Sequence, residues 1–282
     1  VYKWSTGTYL ECQDMFRENG IFRDVYITAQ KKTYLFDFSF QTEKAGRGYN
    51  ARVTADIRGA KGARWKAELF SPNGRIASET ADAGEDIRFE NLQVVEWNAE
   101  IPTCYDLVLT LISGEQVLEC TRQKVGFRTI QIDGCRFFFN NKLIKLKGVN
   151  HHDTHPVRGY AMTAADLKKD VELMKAYNVN CVRTSHYPPD PLFVTMCDVY
   201  GIYLVDEADM ESHGCYKPKW IGDNPKWEPR FLDRISALYE RDKNHTCIIM
   251  WSMGNECTGI RNFDVSYAYL KSKTTITVHY EP

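Results

Sequence analysis

Four segments of this 282-residue chain concentrate groups that can move protons, hold cations or grip hydroxyls. They are Asn150-His151-His152-Asp153-Thr154-His155, Arg183-Thr184-Ser185-His186-Tyr187-Pro188, Asp206-Glu207-Ala208-Asp209-Met210-Glu211-Ser212-His213 and Ser252-Met253-Gly254-Asn255-Glu256, and together they hold five of the seven histidines. Glu256 is the sharpest candidate, because it follows the apolar run Cys247-Ile248-Ile249-Met250-Trp251. A carboxyl group held by neighbours at the end of a buried strand can have its pKa raised, as a general acid needs. The adjacent Asn255 can donate a hydrogen bond to a substrate hydroxyl. Glycosidases place two carboxyl groups about the scissile bond, roughly 5 Å apart when configuration is retained. Glu256 supplies one, and its partner is expected from another strand end.

Glu211 and His213 are two residues apart, so in extended backbone they point the same way and could ligate a metal; a polar loop is the alternative reading. No helical HExxH site is present. Carboxylate plus imidazole with open positions would suit a loosely held Mg²⁺ or Mn²⁺. For His151 a surface or hydrogen-bonded role is preferred, whereas the shared placement of His152, His155 and His186 favours function. Asp206 and Glu207 could cap a strand, pair with Arg183 or act directly, and these readings stay open.

The elements that must position these groups follow from periodicity. Lys145–Val149 reads as a strand. Thr163 opens a helix with Asp166 placed for a capping box, and Leu167, Val171, Met174 and Tyr177 share one face of it. Cys181-Val182 belongs to the next strand. Asp190-Pro191 is an N-cap followed by proline at the first helical position, and that helix should stop at Gly201. A strand at 202–205, a helix over 229–243, a strand at 247–251, a helix over 261–271 and a strand at 276–278 complete the run. Five strands alternating with four helices mean a parallel sheet with crossover helices. An open doubly wound sheet and a (β/α)8 barrel compete, and the absence of GxGxxG after the first strand weighs against a dinucleotide fold. In a barrel, all four polar segments open on the one face that holds active sites.

Upstream, residues 29–126 read as a β-sandwich of short strands, among them Phe36–Phe40, Trp65–Phe70 with its turn Ser71-Pro72-Asn73-Gly74, and Tyr105–Leu111. Residues 1–28, with a strand expected at Ile21–Ile27, are too short for a domain and read as the end of one. The chain starts inside the strand-like Val1-Tyr2-Lys3-Trp4 without an initiator Met and is expected to be a fragment. With 36 basic and 37 acidic residues, nothing suggests nucleic acid or an anionic membrane as partner. No apolar stretch is long enough to span a membrane. The nine cysteines lack CxxC spacing and sit in apolar runs, so buried free thiols in a reducing, cytoplasmic compartment are expected.

Trp251-Ser252-Met253-Gly254-Asn255-Glu256 resembles the acid/base signature of glycoside hydrolase family 2. Asn150 to Pro156, Arg183 to Pro188 and Asp206 to Gly214 resemble its β-galactosidase branch, and Trp4 to Val25 resembles the end of its sugar-binding jelly-roll domain. The resemblance covers essentially the whole chain. It implies a multidomain β plus α/β protein: the end of a jelly-roll domain at 1–28, an immunoglobulin-like β-sandwich at 29–126, and about strands 1–5 of an incomplete (β/α)8 TIM barrel at 127–282. It implies a retaining enzyme for terminal β-D-galactosides, with Glu256 as general acid/base. Glu211, His213 and Glu256 would ligate Mg²⁺, and Asp14 would reach the galactose and a Na⁺. His152 and His186 would contact substrate and transition state, Asn255 the sugar 2-hydroxyl, and Arg183 would support the catalytic carboxylates. The whole protein is expected to be a homo-oligomer. The chain departs from the pattern at Cys257, at the short Thr258-Gly259 and at His151, where the family has Arg. The family's nucleophilic glutamate has no counterpart before Pro282, so the isolated chain is expected to be inactive. The alternatives are β-glucuronidase or β-mannosidase activity, or a non-catalytic sugar-binding remnant; His155-Pro156 and Glu211-Ser212-His213-Gly214 favour the galactosidase.

Overall fold

The computed structural model describes residues 7–11, 15, 16, 18, 20–59, 62–213 and 221–281. It divides into two compact units: one takes residues 25–145 and 244–246, the other residues 1–24, 146–243 and 247–282.

In the first unit, β1 (Tyr34–Ala45), β2 (Gly48–Arg58) and β5 (Ile87–Leu92) form one antiparallel sheet; β3 (Arg64–Ser71), β4 (Gly74–Asp82), β6 (Tyr105–Ser113) and β7 (Gln116–Val125) form the other, in the order β4-β3-β6-β7. Alternation selects the inner face: Trp65, Ala67 and Leu69 on β3 and Tyr105, Leu107, Leu109 and Leu111 on β6 are buried while their neighbours are not. Phe127 plugs the core, with the rings of Phe40, Tyr49 and Tyr105 set edge-on 5.3–5.7 Å from it. A β-sandwich is therefore present upstream of the parallel sheet, as expected. The small sheet of β8 (Ile130–Asp133), β9 (Arg136–Phe139) and β10 (Lys142–Leu143) groups with it.

The second unit holds a five-stranded parallel sheet in sequential order: β11 (Gly148–His151), β12 (Cys181–Thr184), β13 (Tyr203–Glu207), β14 (Ile248–Asn255) and β15 (Thr277–Glu281). Helices α2 (Ala164–Ala176), α3 (Pro191–Tyr200), α4 (Glu228–Asp242) and α5 (Arg261–Lys273) make the crossovers; α1 (Gly7–Leu10) is a single turn near the start of the chain. Sequential parallel order is that of a barrel wall, whereas a doubly wound sheet reverses direction at a switch point. The caps behave as their residue types require. Thr163 and Asp166 form the reciprocal capping box, Asp190 Oδ1 accepts the Leu192 N–H at 2.8 Å, and Gly201 ends α3 at φ 77°. Helix α5 has no side-chain cap of its own; Asp223 Oδ1, from a distant loop, accepts the Ile260 and Arg261 N–H groups at 2.8 and 3.1 Å.

Several expectations shift. Residues 21–27 form no strand: Ile21, Val25 and Ile27 are 81%, 77% and 99% exposed, so their alternation follows no buried face. The strand expected at 145–149 runs instead over Gly148–His151, because pairing with Cys181–Thr184 sets its register. Tyr177 is a helix C-cap and exposed, while Leu167, Val171 and Met174 are buried as expected. Cys120 and Cys135 are exposed and Cys104 half-buried, while Cys181, Cys197, Cys247 and Cys257 are buried; all seven are free thiols. Among the described residues no helix is long and apolar enough to cross a membrane.

Beneath the sheet lies a buried carboxyl pair. Burial first, then the charge of Asp242, pushes the Asp206 carboxyl well above the usual range, although Arg241 and Thr184 act against this. Arg241 is committed to Asp242, with Nε and Nη2 at 2.9 and 2.5 Å. A carboxyl whose native pKa is raised adds stability below the unfolded value of about 4 and loses it as pH rises through the native value. Asp206→Asn is therefore expected to raise the melting temperature relative to wild type at pH 8, with the gain shrinking towards pH 4. Thermal melts across that range check this; a pH-independent difference would contradict it.

Candidate active site

The polar segments converge at the carboxyl ends of the strands, and Glu207 is the centre of the network they form. Its side chain is fully buried at the end of β13. Oε1 accepts His186 Nδ1 at 2.7 Å and Arg183 Nη2 at 3.1 Å; Oε2 accepts Arg183 Nε and Ser252 Oγ, both at 2.6 Å. Its own N–H donates to Thr184 Oγ1 at 2.9 Å. Burial alone would raise this carboxyl; the His186 and Arg183 donors outweigh it and hold the group below the ordinary range. Of the readings left open for Glu207, the structure shows the pairing with Arg183.

Arg183 carries the network onward. Nη2 donates to Asn255 Oδ1 at 2.7 Å, and Asn255 Nδ2 donates to Glu211 Oε2 at 2.5 Å. Guanidinium only donates and carboxylate only accepts, so the two neighbours settle which way the Asn255 amide faces. Glu211 is buried, and Oε1 also accepts the His213 N–H at 2.8 Å. Burial, the largest influence, raises its carboxyl above the usual range. His213 Nδ1 and Glu256 Oε2 are in direct contact. Glu211, His213 and Glu256 each offer one ligand atom, and these lie within 4.8 Å of one another. Two carboxylates and one imidazole fit a hard divalent cation. The side chains of His213 and Glu256 are 32% and 35% exposed, leaving that edge open to a ligand.

Gly254 explains how Glu256 reaches this place. Its φ is 136°, and a Cβ there would lie 2.5 Å from the Met210 carbonyl oxygen. Only glycine lets β14 approach the 208–210 loop so closely. Asn255 N–H then bonds Met210 O at 2.8 Å and Glu256 N–H bonds Glu281 O at 2.9 Å. Glu256 itself has φ 44°, a left-handed conformation unusual for glutamate, which turns its side chain out of the strand's alternation. Tyr280 fastens the next turn: Cys257 N–H donates to its hydroxyl at 3.1 Å, and that hydroxyl donates to Cys257 O.

The remaining candidates divide. The His152 ring stands edge-on to His186 with centroids 6.0 Å apart, and lies 5.7 Å from the Tyr187 ring. His155 is committed to its own turn, Nδ1 accepting the Val157 and Arg158 N–H groups at 3.1 and 3.2 Å. His151 stacks on Phe193 at 4.5 Å and bonds Asp170 at 3.0 Å, a packing role. Asp14 lies outside the described residues. Leu10 and Glu11 reach this neighbourhood: Glu211 N–H donates to Leu10 O at 2.7 Å, and Arg234 Nη2 donates to Glu11 Oε1 at 2.8 Å. Ser252, Thr184, Tyr280 and Arg234 were not singled out from the sequence. An arginine expected to be buried signals that a carboxylate must meet it, but not which hydroxyls will complete that carboxylate's shell.

A parallel barrel wall whose strand ends gather carboxylates, imidazoles and an Asn-Glu pair is the arrangement that a family of barrel glycosidases would require. Comparison with known families agrees. Residues 130–282 match "Glycosyl hydrolases family 2, TIM barrel domain", and residues 23–128 match "Glycosyl hydrolases family 2". The chain belongs to glycosyl hydrolase family 2. Over its whole length it is 37% identical to a β-galactosidase of Pectobacterium atrosepticum and 38% identical to one of Actinobacillus pleuropneumoniae, spanning 29% and 30% of those proteins. Solved structures share the fold. A β-D-glucuronidase of Dictyoglomus thermophilum aligns with TM-score 0.79 at 23% identity, over 88% of this chain and 44% of that one. A β-glycosidase of Bacteroides vulgatus aligns with TM-score 0.83 at 24% identity, over 93% and 35%.

Proposed function

We propose that this chain contributes the acid/base half of a retaining exo-β-galactosidase. The observation that carries the reading is Glu256, turned out of β14 at the open edge of the site beside Glu211 and His213. In the first step the Glu256 carboxyl gives its proton to the departing glycosidic oxygen as the anomeric C–O bond breaks. A second carboxylate, from a strand beyond residue 282, bonds to the anomeric carbon. In the second step Glu256, now ionised, takes a proton from the water that displaces that carboxylate. On this reading 1–282 alone does not turn over galactosides.

The other assignments follow as part of the same reading. His152 and His186 contact the sugar and transition state. Asn255 uses its second Nδ2 hydrogen for the 2-hydroxyl, the first being given to Glu211. Arg183 orients Asn255. Asp14 serves the galactose and a Na⁺. Glu211, His213 and Glu256 would hold Mg²⁺ or Mn²⁺. Such an ion, when bound, supplies fixed positive charge where negative charge must be accommodated. The sandwich would be the family's immunoglobulin-like domain, and the whole protein a homo-oligomer of a reducing cytoplasm, consistent with seven free thiols.

Hydrolysis of nitrophenyl galactoside, glucuronide and mannoside by the whole protein tests the specificity. Galactoside is expected to be preferred; a glucuronide preference would move the reading to the sister activity named in one structural relative. The metal assignment can be tested on this chain. Mn²⁺ binding followed by electron paramagnetic resonance should weaken at least about tenfold in His213→Ala, the lower end of what loss of even an outer-shell partner costs. Unchanged binding would remove His213 from the ligand set.

A further inference from the structure

Glu207 is a buried anion that no assigned role uses. Of its donors, His186 is placed at the substrate and Arg183 behind Asn255 by the reading above, and this inference rests on that reading. A carboxylate offers about four acceptor positions, and all four here are taken by Arg183, His186 and Ser252. Nothing remains with which to meet a sugar hydroxyl, and the group is fully enclosed. Its ionised form only accepts, so His186 must carry its hydrogen on Nδ1. Whenever the ring is neutral, Nε2 is then its acceptor nitrogen. The 3.4 Å approach of Arg183 Nη2 to the same Nδ1 is proximity and not a bond, since both atoms bear hydrogens. The guanidinium is gripped through two of its nitrogens, which leaves its outer hydrogen aimed at Asn255 Oδ1.

We propose that Glu207 is a positioning residue for the glycosidic reaction: it sets the tautomer of His186 and, through Arg183, the orientation of the Asn255 amide. The residue touches no substrate. Its effect reaches the sugar through two side chains from β12 and its following turn and one from β14, whose relative aim would otherwise depend on long, rotatable chains. The buried Arg183 and Glu207 could instead be a packing device only. That role predicts lost stability with unchanged chemistry per folded molecule.

Two measurements decide. In ¹⁵N-histidine spectra of this chain, wild type should show His186 as the Nδ1–H tautomer, with a deshielded Nδ1–H proton identified by its loss in His186→Ala. Glu207→Gln should move or abolish that signal, because a neutral amide accepts more weakly than a carboxylate. An Nε2–H tautomer in wild type, or a signal indifferent to Glu207→Gln, would overturn the proposal. In the whole protein, Glu207→Gln should lower kcat for nitrophenyl galactoside about 10–100-fold, the usual cost of losing a supporting charged hydrogen bond, while KM moves less than threefold. Wild-type kcat in a variant that merely melts earlier would also overturn it. A wild-type protein that does not turn over galactosides defeats the galactosidase reading alone, since the nitrogen spectra report the anchor without turnover.

Discussion

Glu256→Gln is expected to lower turnover of galactosides with poor leaving groups by about 10²–10⁴-fold in the whole protein, the range that general acid catalysis contributes. The substitution keeps the shape of the side chain and removes only the transferable proton and charge. With an activated leaving group that needs no proton, the first step should survive and the second should stall, because no base remains to deprotonate water. Azide, a nucleophile that needs no base, should then restore turnover and yield the glycosyl azide. The side chain is 35% exposed and makes its contact with His213 at the open edge, so thermal stability should change little, within about 0.5 kcal/mol. That combination separates lost chemistry from lost fold. Wild-type rates with a poor leaving group would remove Glu256 from its role.

The largest effect on stability is expected in the sandwich, at Trp65. It is 2% exposed near the start of β3, and its Nε1 donates to Glu85 O at 3.3 Å. Trp65→Ala leaves a void in the sandwich core beside Leu111, its partner on β6, between stiff strands that cannot collapse onto it, and removes the indole donor from Glu85 O. Such losses cost about 3–5 kcal/mol. Urea unfolding followed by circular dichroism in the far ultraviolet should show the drop. A change under about 1 kcal/mol would mean that the inner face of β3 is not the core its alternation describes.

The contrast between these two residues shows what a sequence makes legible. Trp65 belongs to an alternation of period two, and Leu167, Val171 and Met174 to one of period 3.6; both patterns are local and translate directly into buried faces. The same holds for Thr163, Asp190 and Gly201, whose capping roles need only near neighbours. At the site, the segments carrying Arg183, His186, Glu211, His213, Asn255 and Glu256 were visible because each follows a strand. The bonds among them were not. Glu207 meets Ser252 and Arg183 across 45 and 24 residues of chain, and no periodicity encodes such pairings. The 21–27 segment misled for the complementary reason: its alternating apolar residues met the local criterion for a strand without a partner to pair with among the described residues. His155 looked functional by position, yet two backbone N–H groups of its own turn claim its ring nitrogen.

The bond from Arg234 to Glu11 spans 223 residues, and that from Arg23 to Asp153 spans 130. The sandwich thus lies, in chain order, between the segment holding Glu11 and Arg23 and the barrel strands that receive that segment. During synthesis at about 5–20 residues per second, Glu11 waits roughly 10–40 s before Arg234 exists to bind it. Closing a loop that long costs on the order of 5 kcal/mol in chain entropy, which an independently folded sandwich would reduce by shortening the effective loop. Glu11 and Arg23 therefore precede their partners by a long stretch of chain, and Glu211, which donates its N–H to Leu10, reaches its final setting only when that segment docks.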